Sequence, residues 1–315
     1  MTNDLRDLSA VLREGLNLEI SSPRYTEESE YTYPLKTEVW DNWLPFAYRA
    51  FRRIANETSV RSFASIGCGS GADAIGAMCA FLDVERIVVT DVDPRIIPLA
   101  QRNVEKYAQS RKVIALQGSL CHPLREAGIT VDLMYENLPN LPVNGTRDLG
   151  STYDSSIIPS GRKELADYLL SSHQALLRDA KDRLNPGGSI ICSIGGRVPS
   201  SLLREMVQQE GYFFQELVCG FKVQTEPGEV LLGYAQAEKK EIVFDFYDYE
   251  KAAARLMQSG FPFVYTFPKD VSAEELKEIL CPYRISAQEA LKQYRANANT
   301  QIGHVVQMIR AKKID

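Results

Sequence analysis

The sequence predicts an α/β fold: a doubly wound, mostly parallel seven-stranded sheet with a closing antiparallel hairpin, a helical N-terminal cap and a C-terminal α+β addition. Three observations lead there. Short apolar runs alternate with helix-periodic stretches from Ser62 to about Gln209, which is the pattern of successive parallel strands joined by crossover helices. The first run, Ser62-Phe-Ala-Ser-Ile, ends in Gly67-Cys-Gly69-Ser-Gly71 and a helix starts directly after it. Finally, the apolar-rich runs Tyr212 to Val223 and Glu229 to Ala237 are joined by Gln224-Thr-Glu-Pro-Gly228, which reads as a hairpin closing the sheet edge. The organisation expected is a cap over residues 1–60, a core over 61–240 and an addition over 241–315.

Taken in order, residues 1 to 20 carry Leu5, Leu8, Leu12 and Leu16 at helical spacing. Ser21-Ser-Pro-Arg breaks that pattern, and Tyr25 to Pro34 reads as a polar, aromatic loop. A helix over Val39 to Asn56 presents Trp40, Trp43, Phe46, Tyr48 and Phe51, large aromatics suited to packing on the sheet. The predicted strands are Phe63 to Ile66, Ile87 to Thr90, Val113 to Leu116, Val131 to Tyr135 and Ser189 to Ile194. Pro94 marks the start of a helix over Arg95 to Tyr107, and a single long helix is expected over Lys163 to Leu184, closed by Asn185-Pro-Gly-Gly. Between the fourth strand and that helix runs a long Gly-, Asn-, Ser- and Pro-containing loop holding Tyr153 and Asp154. Loops of that length at the carboxyl ends of parallel strands are usually functional. In the addition, Glu241 to Tyr247 alternates like an edge strand, Tyr249 to Gln258 is helical, Phe261 to Phe267 is strand-like, and two further helices precede a closing segment, Ile302 to Ile309.

Composition excludes several classes. No run approaches the 18 apolar residues of a membrane span, and Met1-Thr-Asn-Asp-Leu-Arg lacks an apolar signal core, so a cytoplasmic protein with no membrane partner is expected. A net charge of −5 argues against a nucleic-acid surface. The six cysteines form no Cys-x-x-Cys pair and the three histidines are scattered, so neither disulfides nor a metal site is expected. The apolar content of residues 241–315 is compatible with a homodimer.

The chemistry concentrates at the ends of the predicted parallel strands. Glycines 67, 69 and 71 would let backbone approach a ligand and aim helix N–H groups at it. Asp91 ends the second strand, 24 residues after Gly67, where an acid receives ribose hydroxyls in open α/β sheets. The pairing points to an adenosine-type cofactor, either a dinucleotide or S-adenosylmethionine, with Cys68 and Val92 beside it. A closing antiparallel hairpin favours S-adenosylmethionine, because a nicotinamide-binding domain would continue in parallel. Ser119 and Leu120, after the third strand, fall by the adenine edge. Ser65 stands where an acid often binds the cofactor amine, leaving that amine without a named partner. Asp93 is either a second cofactor contact or a helix N-cap.

Asn137-Leu138-Pro139-Asn140 follows the fourth strand at the place where amino-group methyltransferases carry Asn/Asp-Pro-Pro-Tyr. Asn137, Pro139 and Asn140 are therefore the candidate catalytic residues. Methyl transfer is an in-line displacement that relies on positioning, and Glu136 is the one nearby candidate base. With these residues and Gly195-Gly196-Arg197-Val198-Pro199, the chain resembles class I S-adenosylmethionine-dependent methyltransferases, and within them the methyltransferase domain of methionine S-methyltransferases. The resemblance implies transfer to a small molecule, the methionine thioether; the alternatives are an N-methyltransferase of a small amine, amino acid or natural-product scaffold and, behind it, an NAD-type oxidoreductase or a non-catalytic cofactor-binding protein. An amino-acid substrate needs a forked cation for its carboxylate, which Arg197 offers. It also needs aromatic faces for its cationic product, for which Tyr31, Tyr33, Tyr135 and Tyr153 are candidates.

Overall fold

The computed structural model describes residues 4–36, 41–140, 162–261 and 271–314. At the N-terminus, β1 (Asp4–Asp7) pairs antiparallel with β2 (Tyr25–Glu28), and α1 (Ser9–Leu16) lies between them. The continuous helix expected over residues 1–20 is therefore shorter, and part of the expected loop is strand. The reason is visible in the leucines: Leu8, Leu12 and Leu16 are buried, whereas Leu5 is 58% exposed and belongs to β1. Asn17, in the left-handed conformation, ends α1.

Next, α2 (Leu44–Glu57) lays its Phe46, Tyr48, Phe51 and Ile54 face on the central sheet. Phe51 meets Tyr135 and Phe63 edge-on, with ring centroids 5.1 and 5.5 Å apart. Gly76 of the following helix gives Tyr48 its place, since a Cβ there would lie 2.0 Å from the ring.

The sheet itself is built from β3 (Ser62–Ile66), β4 (Arg86–Asp91), β5 (Lys112–Gln117), β6 (Val131–Glu136), β7 (Leu184–Gly195) and β8 (Tyr212–Val223). The crossovers carry α3 (Ala72–Ala80), α4 (Ile97–Ala108), α5 (His122–Glu126), α6 (Lys163–Asp167), α7 (Ser171–Asp179) and α8 (Ser200–Gln209). The long helix expected over 163–184 is two short ones, because Leu169 at φ +62° breaks the helical path between α6 and α7. Pairing is parallel from β5 through β4, β3 and β6 to β7.

The closing antiparallel pair is present, but its second strand is not the one expected. Residues 227–237 form helix α9 (Pro227–Ala237), with Pro227 in its first turn and Val230, Leu231 and Tyr234 buried along one side. The partner of β8 is β11 (Ile302–Lys313), which runs antiparallel to both β8 and β7. The segment placed with a C-terminal addition thus ends inside the central sheet. Between α9 and β11 lie β9 (Phe246–Asp248), α10 (Tyr249–Gln258), α11 (Ala273–Leu280), the two-residue β10 (Arg284–Ile285) and α12 (Ala287–Ala296). β9 joins the start of β11 and β10 pairs with β9. Ser272 and Ser286 cap α11 and α12 through their hydroxyls. Most of the expected strand at 261–267 lies outside the described residues. Among the described residues, no helix is long and apolar enough to cross a membrane.

Candidate functional site

A cavity of about 430 Å³ opens at the carboxyl ends of β3, β4, β5, β6 and β7 and reaches across to β8 and β11. Its first wall is the turn after β3. Gly67 and Gly69 line it at φ +69° and +50°, values that residues with a side chain rarely adopt. A Cβ on Gly67 would lie 3.1 Å from Leu138 Cδ2 across the cavity, whereas the space off Gly69 is open. Gly71 is different. It does not line the cavity; it is the left-handed N-cap of α3, and a Cβ there would lie 2.8 Å from Val104 of α4. It is a packing glycine.

Residues that sequence reasoning did not connect with the site brace this turn. Asn103 of α4 donates to Ser70 O and Glu27 O at 2.9 Å, and Thr26 Oγ1 donates to Ser70 O at 3.2 Å. Strand β2 and helix α4 therefore hold the glycine turn from outside.

Asp91 lines the cavity at the end of β4. Its Oδ2 accepts the Gly69 amide at 3.1 Å and its Oδ1 the Asp93 amide at 3.1 Å. Burial raises its pKa above the usual carboxylate range, and those amides oppose the rise. Val92, Ser119, Leu120 and Cys68 also line the cavity. Asp93 faces Arg95 instead, taking its backbone N–H at 2.9 Å and its guanidinium at 2.5 Å, which holds the Asp93 carboxyl below the usual range.

Asp73, in the first turn of α3, is the residue the sequence reading missed. It is buried, lines the cavity and accepts a hydrogen bond from Ser65 Oγ at 2.5 Å. Burial pushes its pKa up to about 6. The acid absent from the strand at position 65 is thus supplied eight residues later by the helix and reaches the same place. An alternating Asp two positions past the last glycine was the available signal.

The opposite wall is the Asn137–Asn140 run after β6, all four residues of which line the cavity. Glu136 does not. It is fully buried, with Oε1 2.7 Å from His173 Nδ1 and Oε2 accepting the Leu138 amide at 2.8 Å. The candidate base is a loop anchor. At the far end, Asn140 O accepts from Tyr234 Oη at 2.8 Å, and Arg197 Nη1 donates to the same hydroxyl at 3.2 Å. Arg197, Tyr33 and Tyr135 line the cavity. Tyr31 does not; its ring lies under the Arg95 guanidinium, 3.8 Å from ring centre to Cζ. Tyr153 lies outside the described residues. Tyr33 packs edge-on against Trp43 at 6.0 Å, and both face the cavity. Lys222, Gln224, Thr225 and His304, none of them singled out from sequence, complete the wall.

The geometry suits S-adenosylmethionine. The glycine turn offers room and backbone amides, Asp91 offers carboxylate oxygens beside the turn, and Asp73 is a buried acid that a cation would satisfy.

No family model matches the chain. Over 135 residues it is 30% identical to the release factor glutamine methyltransferase of Moorella thermoacetica, covering 42% of this chain and 46% of that one. The match thus spans less than half of the curated relative's length. Among solved structures it is similar to the 16S rRNA N2 G1207 methyltransferase of T. thermophilus (18% identity, 63% and 45% of the two chains, TM-score 0.42). It is also similar to a ribosomal protein L11 methylase of Lactobacillus delbrueckii (19%, 56% and 70%, TM-score 0.38). These named proteins act on a release factor, an rRNA and a ribosomal protein. The match to the release factor methyltransferase corrects the expectation of a small-molecule acceptor. Counting only the seven central strands in chain order, the sheet runs third, second, first, fourth, fifth, seventh, sixth, with the seventh antiparallel; the chain has the Rossmann-like methyltransferase fold.

Proposed function

We propose that the protein is an S-adenosylmethionine-dependent methyltransferase that methylates a side-chain nitrogen of a protein. The observation that carries this reading is the convergence of Gly67, Gly69, Asp73 and Asp91 with the Asn137–Asn140 run on one cavity. The partial match to a glutamine methyltransferase supports it. The methionine thioether, expected from the Leu138-Pro139-Asn140 and Gly195-Gly196-Arg197 runs, falls with the small-molecule acceptor.

When bound, S-adenosylmethionine supplies a methyl group activated by a cationic sulfur. Asp91 would accept the ribose hydroxyls, and Asp73 would pair with the ammonium, which favours the charged form of that buried carboxylate. Gly67 and Gly69 bring backbone against the cofactor's amino-acid end. Ser119, Leu120 and Val92 flank the adenine. Across the cavity, the Asn137 carboxamide oxygen would accept an N–H from the acceptor and so orient its nitrogen. Pro139 fixes the loop path and Asn140 its far end, through the Tyr234 hydroxyl. The nitrogen's surplus proton would pass to water. Glu136, turned away into its pair with His173, takes no part in that transfer. Trp43 and Tyr33 present aromatic faces, which tolerate the positive charge.

The test is calorimetric titration with S-adenosylhomocysteine, followed by labelled S-adenosylmethionine offered to protein and RNA fractions of a cell extract. Protease-sensitive label, located on a nitrogen by mass spectrometry, is expected. Nuclease-sensitive label would move the acceptor to RNA, and no binding of S-adenosylhomocysteine would end the cofactor assignment.

A further inference from the structure

Beyond Asn140 the cavity wall becomes cationic. Arg197, Lys222 and His304 line it, each 6% exposed or less. Lys222 and His304 sit directly opposite one another on the antiparallel strands β8 and β11, so both side chains leave the sheet on one face. Arg197 follows β7. Its guanidinium lies over the faces of Tyr234 and Phe246, at 4.9 and 5.5 Å from the ring centres. Gly195 leaves the space for it: a Cβ there would lie 2.1 Å from Arg197 Nη1.

The charges in this corner do not balance. Arg197 donates to the Tyr234 hydroxyl and the Gln224 carboxamide, both neutral, and its buried Nε–H has no protein acceptor among the described residues. Lys222 Nζ donates to Val223 O at 2.5 Å and Thr225 Oγ1 at 3.0 Å, with Asp41 Oδ1 at 3.6 Å. Among the described residues Asp41 is the one carboxylate paired with the cluster, and Arg197 has none. Burial, the largest cause, and Arg197 together lower the Lys222 pKa to about 8 against the opposing effect of Asp41. His304 is driven down by burial first, then by Arg197 and Lys222. A guanidinium taken out of water without a counter-charge is costly. An anion entering the cavity would remove that cost.

The cofactor is not that anion. Its expected anchors sit on β3 and β4, whereas the cations Arg197 and Lys222 follow β7 and lie on β8, with the neutral His304 ring beside them on β11. At the ordinary strand spacing β11 is three places, about 14 Å, from β3. The Asn137–Asn140 run lies between them, at the end of β6. Cations beyond that run face whatever approaches the methyl group from the acceptor side.

We propose that Arg197, Lys222 and His304 form an oxyanion subsite that binds a carboxylate of the protein acceptor, carried by an acidic side chain near the methylated nitrogen. The proposal rests on the reading that this cavity holds the acceptor. A carboxylate on a flexible side chain can reach cations this deeply buried, and the arginine fork matches it in shape. A phosphate fixed in a nucleic-acid backbone would have to be drawn in with its whole strand.

The experiment uses the full chain saturated with S-adenosylhomocysteine, titrated with sodium acetate and with inorganic phosphate at constant chloride, and followed by the His304 ring resonances. Acetate is expected to bind saturably, at least about tenfold more weakly in Lys222→Met and in Arg197→Gln. His304→Gln, checked by calorimetry, provides a variant that alters the charge of neither Arg197 nor Lys222. S-adenosylhomocysteine affinity, measured in parallel, stays unchanged in all three. Absence of saturable acetate binding, equal binding in the variants, or saturation by phosphate alone overturns the subsite. If S-adenosylhomocysteine itself does not bind, the cofactor reading fails separately, and the same titration on the unliganded protein still decides the subsite.

Discussion

Ser65 Oγ donates to the buried carboxylate of Asp73 at 2.5 Å, joining the end of the first central strand to the first turn of the helix behind the glycine turn. A strand residue that cannot itself carry charge orients a helix residue that can.

From this pair follows a pH dependence. The Asp73 pKa is raised from 3.8 to about 6 by burial, so the unliganded fold keeps this carboxyl protonated up to about pH 6. The fold therefore loses stability as pH rises from about 4 to 6, by about 3 kcal/mol at most. A bound ammonium favours the charged form. S-adenosylhomocysteine affinity should accordingly increase as pH rises through about 6, in step with ionisation of Asp73. Asp73→Asn should stabilise the unliganded protein above that pH and weaken cofactor binding about tenfold or more. Calorimetry between pH 5 and 8 reads both, and an affinity that does not vary with pH would dissociate Asp73 from the ammonium.

Asp91 holds the Gly69 amide while its carboxylate faces the cavity. Asp91→Ala should lower S-adenosylhomocysteine affinity by about 1.5 to 3 kcal/mol, roughly ten- to a hundredfold, since hydrogen bonds to a charged group are lost. The circular dichroism spectrum should not change. Retained affinity would mean that the acid serves the turn alone.

Glu136 and His173 are both fully buried and in contact. Glu136→Ala strands the fully buried His173 ring and takes the acceptor from the half-buried Leu138 amide. A loss of about 3 kcal/mol is expected, visible as a fall of several degrees in Tm. Transfer should slow with it, because the Asn137–Asn140 loop loses its anchor. An unchanged Tm would show that the pair contributes nothing to the fold.

The cofactor half of this site was legible because its signal is local. Gly67, Gly69 and Asp91 are fixed by a strand, a turn and the next strand, all read directly from chain order. The acceptor half depends on contacts remote in sequence. Lys222 and His304 meet only because β8 pairs with a strand some eighty residues on. The apolar run 229–237 was read as that strand, yet its Val230, Leu231 and Tyr234 are equally spaced for one side of a helix, and α12 and Phe244 provide the surface that decides it. Asp73 was hidden for a different reason: an acid in the first helical turn is ordinary dipole chemistry, and only its burial against Ser65 marks it out.

The Tyr234 hydroxyl links the two halves of the acceptor wall, donating to Asn140 O and accepting from Arg197 Nη1. Tyr234→Phe removes both bonds and leaves a buried guanidinium short of one more partner. The ring, which packs at 4.7 Å against Phe244, is kept, so the stability cost should stay near 1 to 2 kcal/mol. The kinetic cost should be larger and confined to the acceptor: a raised KM and a lowered kcat, with S-adenosylhomocysteine affinity unaltered. Gly195→Ala attacks the same arrangement from the other side, by driving the guanidinium out of the space its Nη1 occupies and crowding Asn140 Nδ2 at 3.5 Å. The two variants should therefore give the same kinetic signature. If either weakens the cofactor instead, Asn140 and Arg197 belong to the cofactor wall and not to the acceptor's.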